Sequence, residues 1–126
     1  MIVTKTSEYI SNFLNFLSDM ESAYNYSYEA AHTQDLLKSD LYHKIEDENT
    51  DYTERCKTAT RLATCLRERR YHKDRVEETT PIVDFISKNK RLIKDLETLL
   101  GDVRKIEKHH DSRFYVPRVL TDEKIM

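Results

Sequence analysis

Residues 6–31 read TSEYISNFLNFLSDMESAYNYSYEAA, a stretch in which an apolar side chain recurs every three or four positions. This spacing places the apolar side chains on one face of an α-helix. It predicts an amphipathic N-terminal helix, with Thr6 or Ser7 as its cap. The series steps through Tyr9, Phe13, Phe16, Met20, Tyr24, Ser27 and Ala31, and Ile10, Leu14 and Leu17 widen it.

Helix breakers are scarce in the rest of the chain. The 126 residues contain one glycine, Gly101, and two prolines, Pro81 and Pro117, so the first 80 residues contain neither breaker. Sheet folds need frequent turns rich in glycine, asparagine or proline, and parallel sheets need glycines where strands meet helices. The sequence therefore predicts an all-α fold, with residues 1–126 forming a single helical domain.

Two further apolar series run from Leu37 to Leu66 and from Ile82 to Ile106. Between them, Thr80 can cap a helix that has Pro81 at its first position, which predicts a reversal at residues 79–81. Small side chains would then meet large ones, as close antiparallel packing requires. We expect a long antiparallel helical hairpin of about residues 52–78 and 81–110. Its predicted pairs are Leu66 with Ile93, Ala63 with Leu96, Ala59 with Leu100 and Cys56 with Val103.

The boundaries before this hairpin are less sharply marked. The apolar face lapses around Thr33, which could cap a second helix, and the polar run 46–51 offers an alternative break near 49–51. Residues 33–78 therefore form either one helix or two, within a three- or four-helix arrangement. Residues 111–126 are predicted to be an extended C-terminal tail. In it, Phe114, Val116 and Leu120 are expected to fold back over the helices, and residues 121–126 to fray.

The net charge of −2 conceals an asymmetry between the two parts of the chain. Residues 1–54 carry three Lys/Arg against eleven Asp/Glu, and residues 55–126 carry eighteen against twelve. Such opposite fields can steer a charged partner or a second copy of the chain. No basic segment followed by an unbroken apolar run opens the sequence, so we expect a cytoplasmic protein with no membrane contact. Cys56 and Cys65 are nine residues apart on one helix, beyond disulfide reach, and are expected to be reduced.

Residues capable of catalysis or metal binding are sparse. Two Glu-x-x-His pairs, Glu29–His32 and Glu107–His110, have the spacing of di-iron ligands, but the apolar series contain no further glutamates to complete such a site. A phosphate-binding glycine loop cannot form from one glycine. Cys56 lies on the apolar series, and no neighbour activates Cys65. We therefore expect no enzyme activity, no metal and no cofactor.

Two surfaces are candidates for binding. The apolar face of the first helix is wider than one neighbouring helix can bury, which favours a protein partner or a homodimer, and the acidic residues beside it could mimic a phosphate backbone. The basic stretch 55–75 offers nucleic-acid binding as the alternative. The predicted partner-binding residues are Phe13, Phe16, Leu17, Asp19, Glu21, Tyr26 and Glu29; the nucleic-acid alternative uses Arg61, Arg67, Arg69, Arg70, Lys73 and Arg75.

Residues 61–70, RLATCLRERR, and their continuation to 111–120, DSRFYVPRVL, resemble small helical accessory proteins encoded by bacteriophages and prophages of Gram-positive bacteria. The resemblance covers about residues 41–120 and includes no diagnostic motif, while residues 1–40 have the character of an added specificity element. It implies a non-catalytic protein of the host cytoplasm that binds and modulates or inhibits a host protein. A defence nuclease or its ribonucleoprotein complex is one such target, and the chain would then be an inhibitor such as an anti-CRISPR protein.

Overall fold

The computed structural model describes residues 4–119, which form three helices. Helix α1 spans Thr6–Glu46, α2 spans Tyr52–Lys88 and α3 spans Lys90–Ser112. No strand occurs between residues 4 and 119. The predicted all-α fold and the three-helix arrangement are therefore confirmed.

Helix α1 is continuous over 41 residues, so the predicted break at Thr33 is wrong. The Thr33 hydroxyl donates to the carbonyl of Glu29 at 3.1 Å, a bond that a threonine inside a helix makes to its own preceding turn. The helix begins at Thr6 as expected, but Lys5 is its N-cap and makes no side-chain capping bond. Ser7 is buried inside the first turn.

The chain reverses at residues 47–51, the alternative break predicted near 49–51. Asp51 caps α2 by accepting a hydrogen bond from the backbone N–H of Glu54 at 2.8 Å. Asp47 accepts from the N–H of Asn49 at 2.9 Å, and the Thr50 hydroxyl donates to the Asp47 carbonyl at 3.0 Å. These short polar side chains satisfy the backbone groups that the helix ends expose, and so they fix a tight turn.

The antiparallel hairpin consists of α1 and α2, and most of the tertiary contacts join these two helices. Ser27 Oγ lies 3.2 Å from His72 Nδ1, and the Cys65 thiol donates to the Gln34 carbonyl at 3.3 Å. Residues whose numbers add to about 99 therefore lie opposite each other along the hairpin.

The hairpin predicted for residues 52–78 and 81–110 is wrong, because α2 and α3 share very few contacts. Ala59, Ala63 and Cys56, which were expected to face α3, are all exposed, whereas Cys65 is buried.

Pro81 lies inside α2 and does not end it. Proline removes one backbone hydrogen bond, and the threonine hydroxyls before it bond to carbonyls of the preceding turn. Thr79 donates to the Arg75 carbonyl at 2.7 Å and Thr80 to the Val76 carbonyl at 2.6 Å. Neither of these is the Glu77 carbonyl that loses its donor at Pro81, but Thr79 is buried, so packing holds the helix together where local propensity would break it.

Asn89 is the single residue between α2 and α3, and its side-chain amide donates to the Phe85 carbonyl at 2.8 Å. Beyond it, α3 packs on α1 and not on α2. The Ser7 N–H donates to Glu107 Oε2 at 3.0 Å, and Lys5 Nζ lies 3.8 Å from Asp111 Oδ2. These contacts place the C-terminal part of α3 beside the first turn of α1.

The buried core is small and half polar. Its apolar members are Leu17, Ala31, Leu41, Cys65 and Leu100, and its polar members are Ser7, Ser27, Thr58, His72 and Thr79.

After α3, residues 113–119 form no regular structure. Phe114 and Val116 are exposed, so their predicted return to the helices is wrong. The predictions for Leu120 and residues 121–126 lie outside the described residues.

Candidate protein-binding site

Three aromatic side chains form an exposed stripe on the first half of α1. Tyr9, Phe13 and Phe16 are separated by four and three residues, so they share one face of the helix. They are 67%, 44% and 46% exposed, and Leu17 beside them is buried. Of the predicted partner-binding residues, Phe13 and Phe16 are thus free to meet another molecule, whereas Leu17 belongs to the core.

A second group of rings lies farther along the hairpin and includes both of its helices. His72 is buried, and the rings of Tyr26 and Tyr71 approach it edge-on, with centroid distances of 5.6 and 5.1 Å. Both tyrosines keep more than 60% of their surface exposed. We call the aromatic face the set Tyr9, Phe13, Phe16, Tyr26 and Tyr71.

Helical spacing connects the two parts of the aromatic face through an acidic residue. Asp19 follows Phe16 by three residues and precedes Tyr26 by seven, so it lies between them, and Glu29 follows Tyr26 by three. Glu21 lies two residues after Asp19, about 200° around the helix at 100° per residue, and therefore on another side. Glu21 lies instead beside the buried Leu17, which it follows by four residues.

The α1 part of this region is acidic, whereas Tyr71 on α2 lies near the exposed Arg67 and Arg70. Between residues 6 and 37 the chain has no lysine or arginine, and it has five carboxylates. Asp35 is the one of these that forms ion pairs among the residues the structure describes. The unpaired carboxylates are Glu8, Asp19, Glu21 and Glu29.

Carboxylates of α1 and α2 partly neutralise the basic stretch of α2. Arg69 donates a hydrogen bond to Asp35, Lys73 Nζ lies 3.4 Å from the other oxygen of Asp35, and Arg75 pairs with Glu78 at 3.9 Å. The bond from Arg69 and the charge of Lys73 hold the pKa of Asp35 below its ordinary value of 3.8. Arg61, Arg67 and Arg70, the rest of the predicted nucleic-acid set, are exposed.

Those three arginines do not form one continuous stripe. Arg67 and Arg70 are neighbours at a spacing of three, but Arg61 precedes Arg67 by six residues, which places it on a different side of α2. Phosphate binding along a duplex needs several cations on one face. Three of the six predicted residues pair with carboxylates, and the other three lie on two sides of α2. The structure therefore favours nucleic-acid binding less than the sequence did.

An open groove of about 370 Å³ lies beside the Asp35 ion pairs. His32 lines it, and Glu29, which has di-iron ligand spacing to His32, is exposed on the same helix. In the other pair, Glu107 accepts hydrogen bonds from Ser7, which hold the pKa of Glu107 below its ordinary value. Between residues 4 and 119, no three potential metal ligands gather at one point. The remaining lining residues are Tyr28, Ala31, Asp35, Lys73, Val76 and Glu77.

Sequence reasoning missed the polar positions of the α1–α2 interface. Thr58, Cys65, His72 and Thr79 are all buried and are spaced by seven residues, the heptad period of packed helices. An apolar pattern cannot find them, since three of the four are polar. Their regular spacing was the available signal.

Comparison with protein-family models, with curated proteins and with solved structures gives no match to this chain. Among the described residues, no helix is both long enough and apolar enough to span a membrane. The aromatic face and the acidic residues beside it are therefore the features on which a functional proposal rests.

Proposed function

We propose that this chain is a non-catalytic helical module that binds a protein through the aromatic face. The observation that carries the proposal is the exposure of five aromatic side chains within residues 4–119, where few apolar residues are buried. Tyrosine and phenylalanine bury large areas at low entropic cost, which makes such clusters the energetic centres of interfaces.

Charge indicates the kind of surface that would fit. Asp19 lies between the two parts of the aromatic face and Glu29 lies beside Tyr26. Neither has an ion-pair partner among the described residues, and no lysine or arginine occurs between residues 6 and 37. A complementary partner therefore presents lysine or arginine around an apolar centre. A protein that binds nucleic acid has such a surface.

The resemblance of residues 41–120 to phage accessory proteins supports a more specific form of the proposal. In this form, the partner is a host protein of the cytoplasm, such as a defence nuclease, and the chain modulates or inhibits it by occupying its nucleic-acid surface. An anti-CRISPR protein would act in this way.

Site-specific photo-crosslinking tests the binding face. A photoreactive phenylalanine analogue replaces Phe16 in one sample and Leu36 in the other, and both are irradiated in host lysate. Leu36 is the matched control, because it lies on the same helix and is 58% exposed but is outside the aromatic face. We expect a discrete adduct from position 16 and none from position 36. Equal labelling from both positions, or none from either, would contradict the proposal.

Charge reversal then tests the acidic rim on the partner identified in this way. We expect Asp19→Lys to weaken binding at least tenfold, since it places a cation against a basic surface. Glu21→Lys makes the same change of charge two residues away on another side of α1, and it should leave affinity within about twofold. If the two variants lose affinity equally, the negative charge of α1 attracts the partner at long range, and Asp19 makes no specific contact with it.

A further inference from the structure

Helix α3 is held to the rest of the molecule more weakly than α1 and α2 are held to each other. It contacts α1 at far fewer places than α2 does, and it hardly contacts α2. Leu100 is the single buried residue of α3, whereas α1 and α2 together bury nine. A helix with so little buried surface belongs to the least stable parts of a fold.

The first end of α3 is joined to α2 through one residue. Helix α2 ends at Lys88 and α3 begins at Lys90, and Asn89 between them has φ −123° and ψ 31°, which is not helical. Among the described residues, no side-chain hydrogen bond or ion pair joins residues 90–106 to another helix. A change in the backbone angles of one such residue is enough to turn a rigid helix.

The other end of α3 is fastened by a carboxylate. Glu107 Oε2 accepts a hydrogen bond from the backbone N–H of Ser7 at 3.0 Å. The first N–H groups of a helix have no partner inside it, and Lys5, the N-cap of α1, makes no side-chain capping bond. Glu107 therefore replaces the missing cap, and its negative charge is favourable at the positive end of α1. The ion pair of Lys5 with Asp111 lies beside it.

Helix α3 covers a part of α1 that α2 does not reach. Opposite residues of the hairpin have numbers that add to about 99, so Lys88, the last residue of α2, is level with Ser11. Ser7 lies beyond that level and is 6% exposed, and its N–H contact is made to α3. The polar contacts of the hairpin all lie farther along α1, so they do not require α3.

We propose that α3 is a hinged arm, which opens about Asn89 as a unit with Glu107 as its latch, while the α1–α2 hairpin stays folded. In the structure the arm is closed. Opening uncovers the first turns of α1 and the inner side of the arm, which includes Leu100. A partner that binds these surfaces would shift the molecule to the open state. The arm does not depend on the proposed function, because the aromatic face is exposed when the arm is closed.

Hydrogen–deuterium exchange measured by mass spectrometry tests the arm on the full chain at neutral pH. A detached helix of 23 residues is only marginally stable in water, so the amides of α3 exchange when the arm opens. We expect residues 94–110 to exchange at least about tenfold faster than residues 58–79 of α2. Equal rates in the two segments would mean that the three helices open together, which would overturn the proposal.

Glu107→Gln tests the latch. The amide keeps the length and the helix propensity of the side chain but removes its charge. We expect the exchange of residues 94–110 to become about fivefold faster, the effect of losing a capping interaction, and that of residues 58–79 to stay the same. Glu97→Gln is the matched control, because Glu97 is exposed on α3 and forms no ion pair within residues 4–119; it should change the rate less than about twofold. An equal effect of both variants, or no effect of Glu107→Gln, overturns the assignment of the latch.

A covalent lock distinguishes opening of the arm from unfolding of α3 in place. Lys5→Cys and Asp111→Cys, in a Cys56→Ser background, place two exposed thiols where the ion pair lies, and a short bismaleimide joins them. We expect the amides of the locked α3 to exchange at least about fivefold more slowly than those of the same variant treated with a monofunctional maleimide. If the lock leaves this rate unchanged, α3 unfolds without leaving α1, and the hinged arm is wrong.

Discussion

The middle of the α1–α2 hairpin and the contact between α1 and α3 are built from different kinds of side chain. In the middle of the hairpin, α2 contributes Cys65, His72 and Thr79 at heptad spacing, and the ion pairs of Asp35 lie beside them. At the other contact, α3 contributes Leu100 among further apolar residues, and the polar contacts of Ser7 with Glu107 and of Lys5 with Asp111 lie at its end. Polar contacts satisfy only one register, whereas apolar contacts supply most of the free energy of folding. The comparison indicates that polar contacts in the hairpin fix the register of α1 against α2. Buried apolar residues such as Leu17 supply most of the stability of the fold.

Leu17→Ala should produce the largest loss of stability. The side chain is 5% exposed, and its truncation leaves a cavity that costs about 3 kcal/mol. Urea unfolding followed by circular dichroism at one fixed protein concentration measures the change. Leu36→Ala is the control, because Leu36 is 58% exposed on the same helix and should lose less than about 1 kcal/mol. Equal losses would mean that the apolar core is not where the structure places it.

His72→Leu should be next in size. It leaves the buried Ser27 hydroxyl without its partner, at a cost of about 1–2 kcal/mol. Adding Ser27→Ala removes both polar groups, so the double variant should recover stability to near the wild-type value. The same unfolding experiment distinguishes them. A double variant that is less stable than His72→Leu would show that the His72–Ser27 pair contributes to the free energy of unfolding as well as fixing the register of the hairpin.

Asp35→Asn should cost about 1 kcal/mol at neutral pH, since the carboxylate and its basic partners are partly solvated and screened. Because the pKa of Asp35 is lowered in the folded state from its ordinary value of 3.8, its contribution to stability is present above that value. That contribution is lost as the pH falls through the folded pKa. The difference in unfolding free energy between wild type and variant should therefore shrink below about pH 4.

Asp40→Asn provides the reference for this pH dependence. Asp40 is exposed on the same helix and forms no ion pair within residues 4–119, so its loss should change stability by less than about 0.5 kcal/mol at any pH. A difference for Asp35→Asn that stays constant from pH 7 to pH 3 would contradict the assigned ion pairs.

Ala63→Glu should have the smallest effect. The pairing of Ala63 with Leu96 that the sequence suggested would bury the new carboxylate at a cost of several kcal/mol. In the structure Ala63 is exposed, so we expect a change within about 0.5 kcal/mol. A large loss of stability in thermal unfolding would restore the α2–α3 hairpin.

Parts of the candidate site could be predicted from the sequence. The apolar series of α1 correctly identified Phe13 and Phe16 as members of a wide face, because helical period alone fixes which side chains share a side. It could not separate them from Leu17, which is adjacent in sequence and buried. That distinction depends on where α2 and α3 lie, and no local pattern contains this information.

The sequence by itself determined that the chain is helical, because breakers are nearly absent and apolar residues recur at helical spacing. It also marked residues 46–51 as a possible break, since short polar side chains there can satisfy free backbone groups. Only the tertiary structure decided between this turn and the one at Thr79–Pro81. A proline removes a single backbone bond, a loss that the packing of the buried Thr79 offsets, whereas the 47–51 turn allows α1 to lie along α2. The choice of helix partner is a property of the whole chain, and local propensity is too weak to fix it.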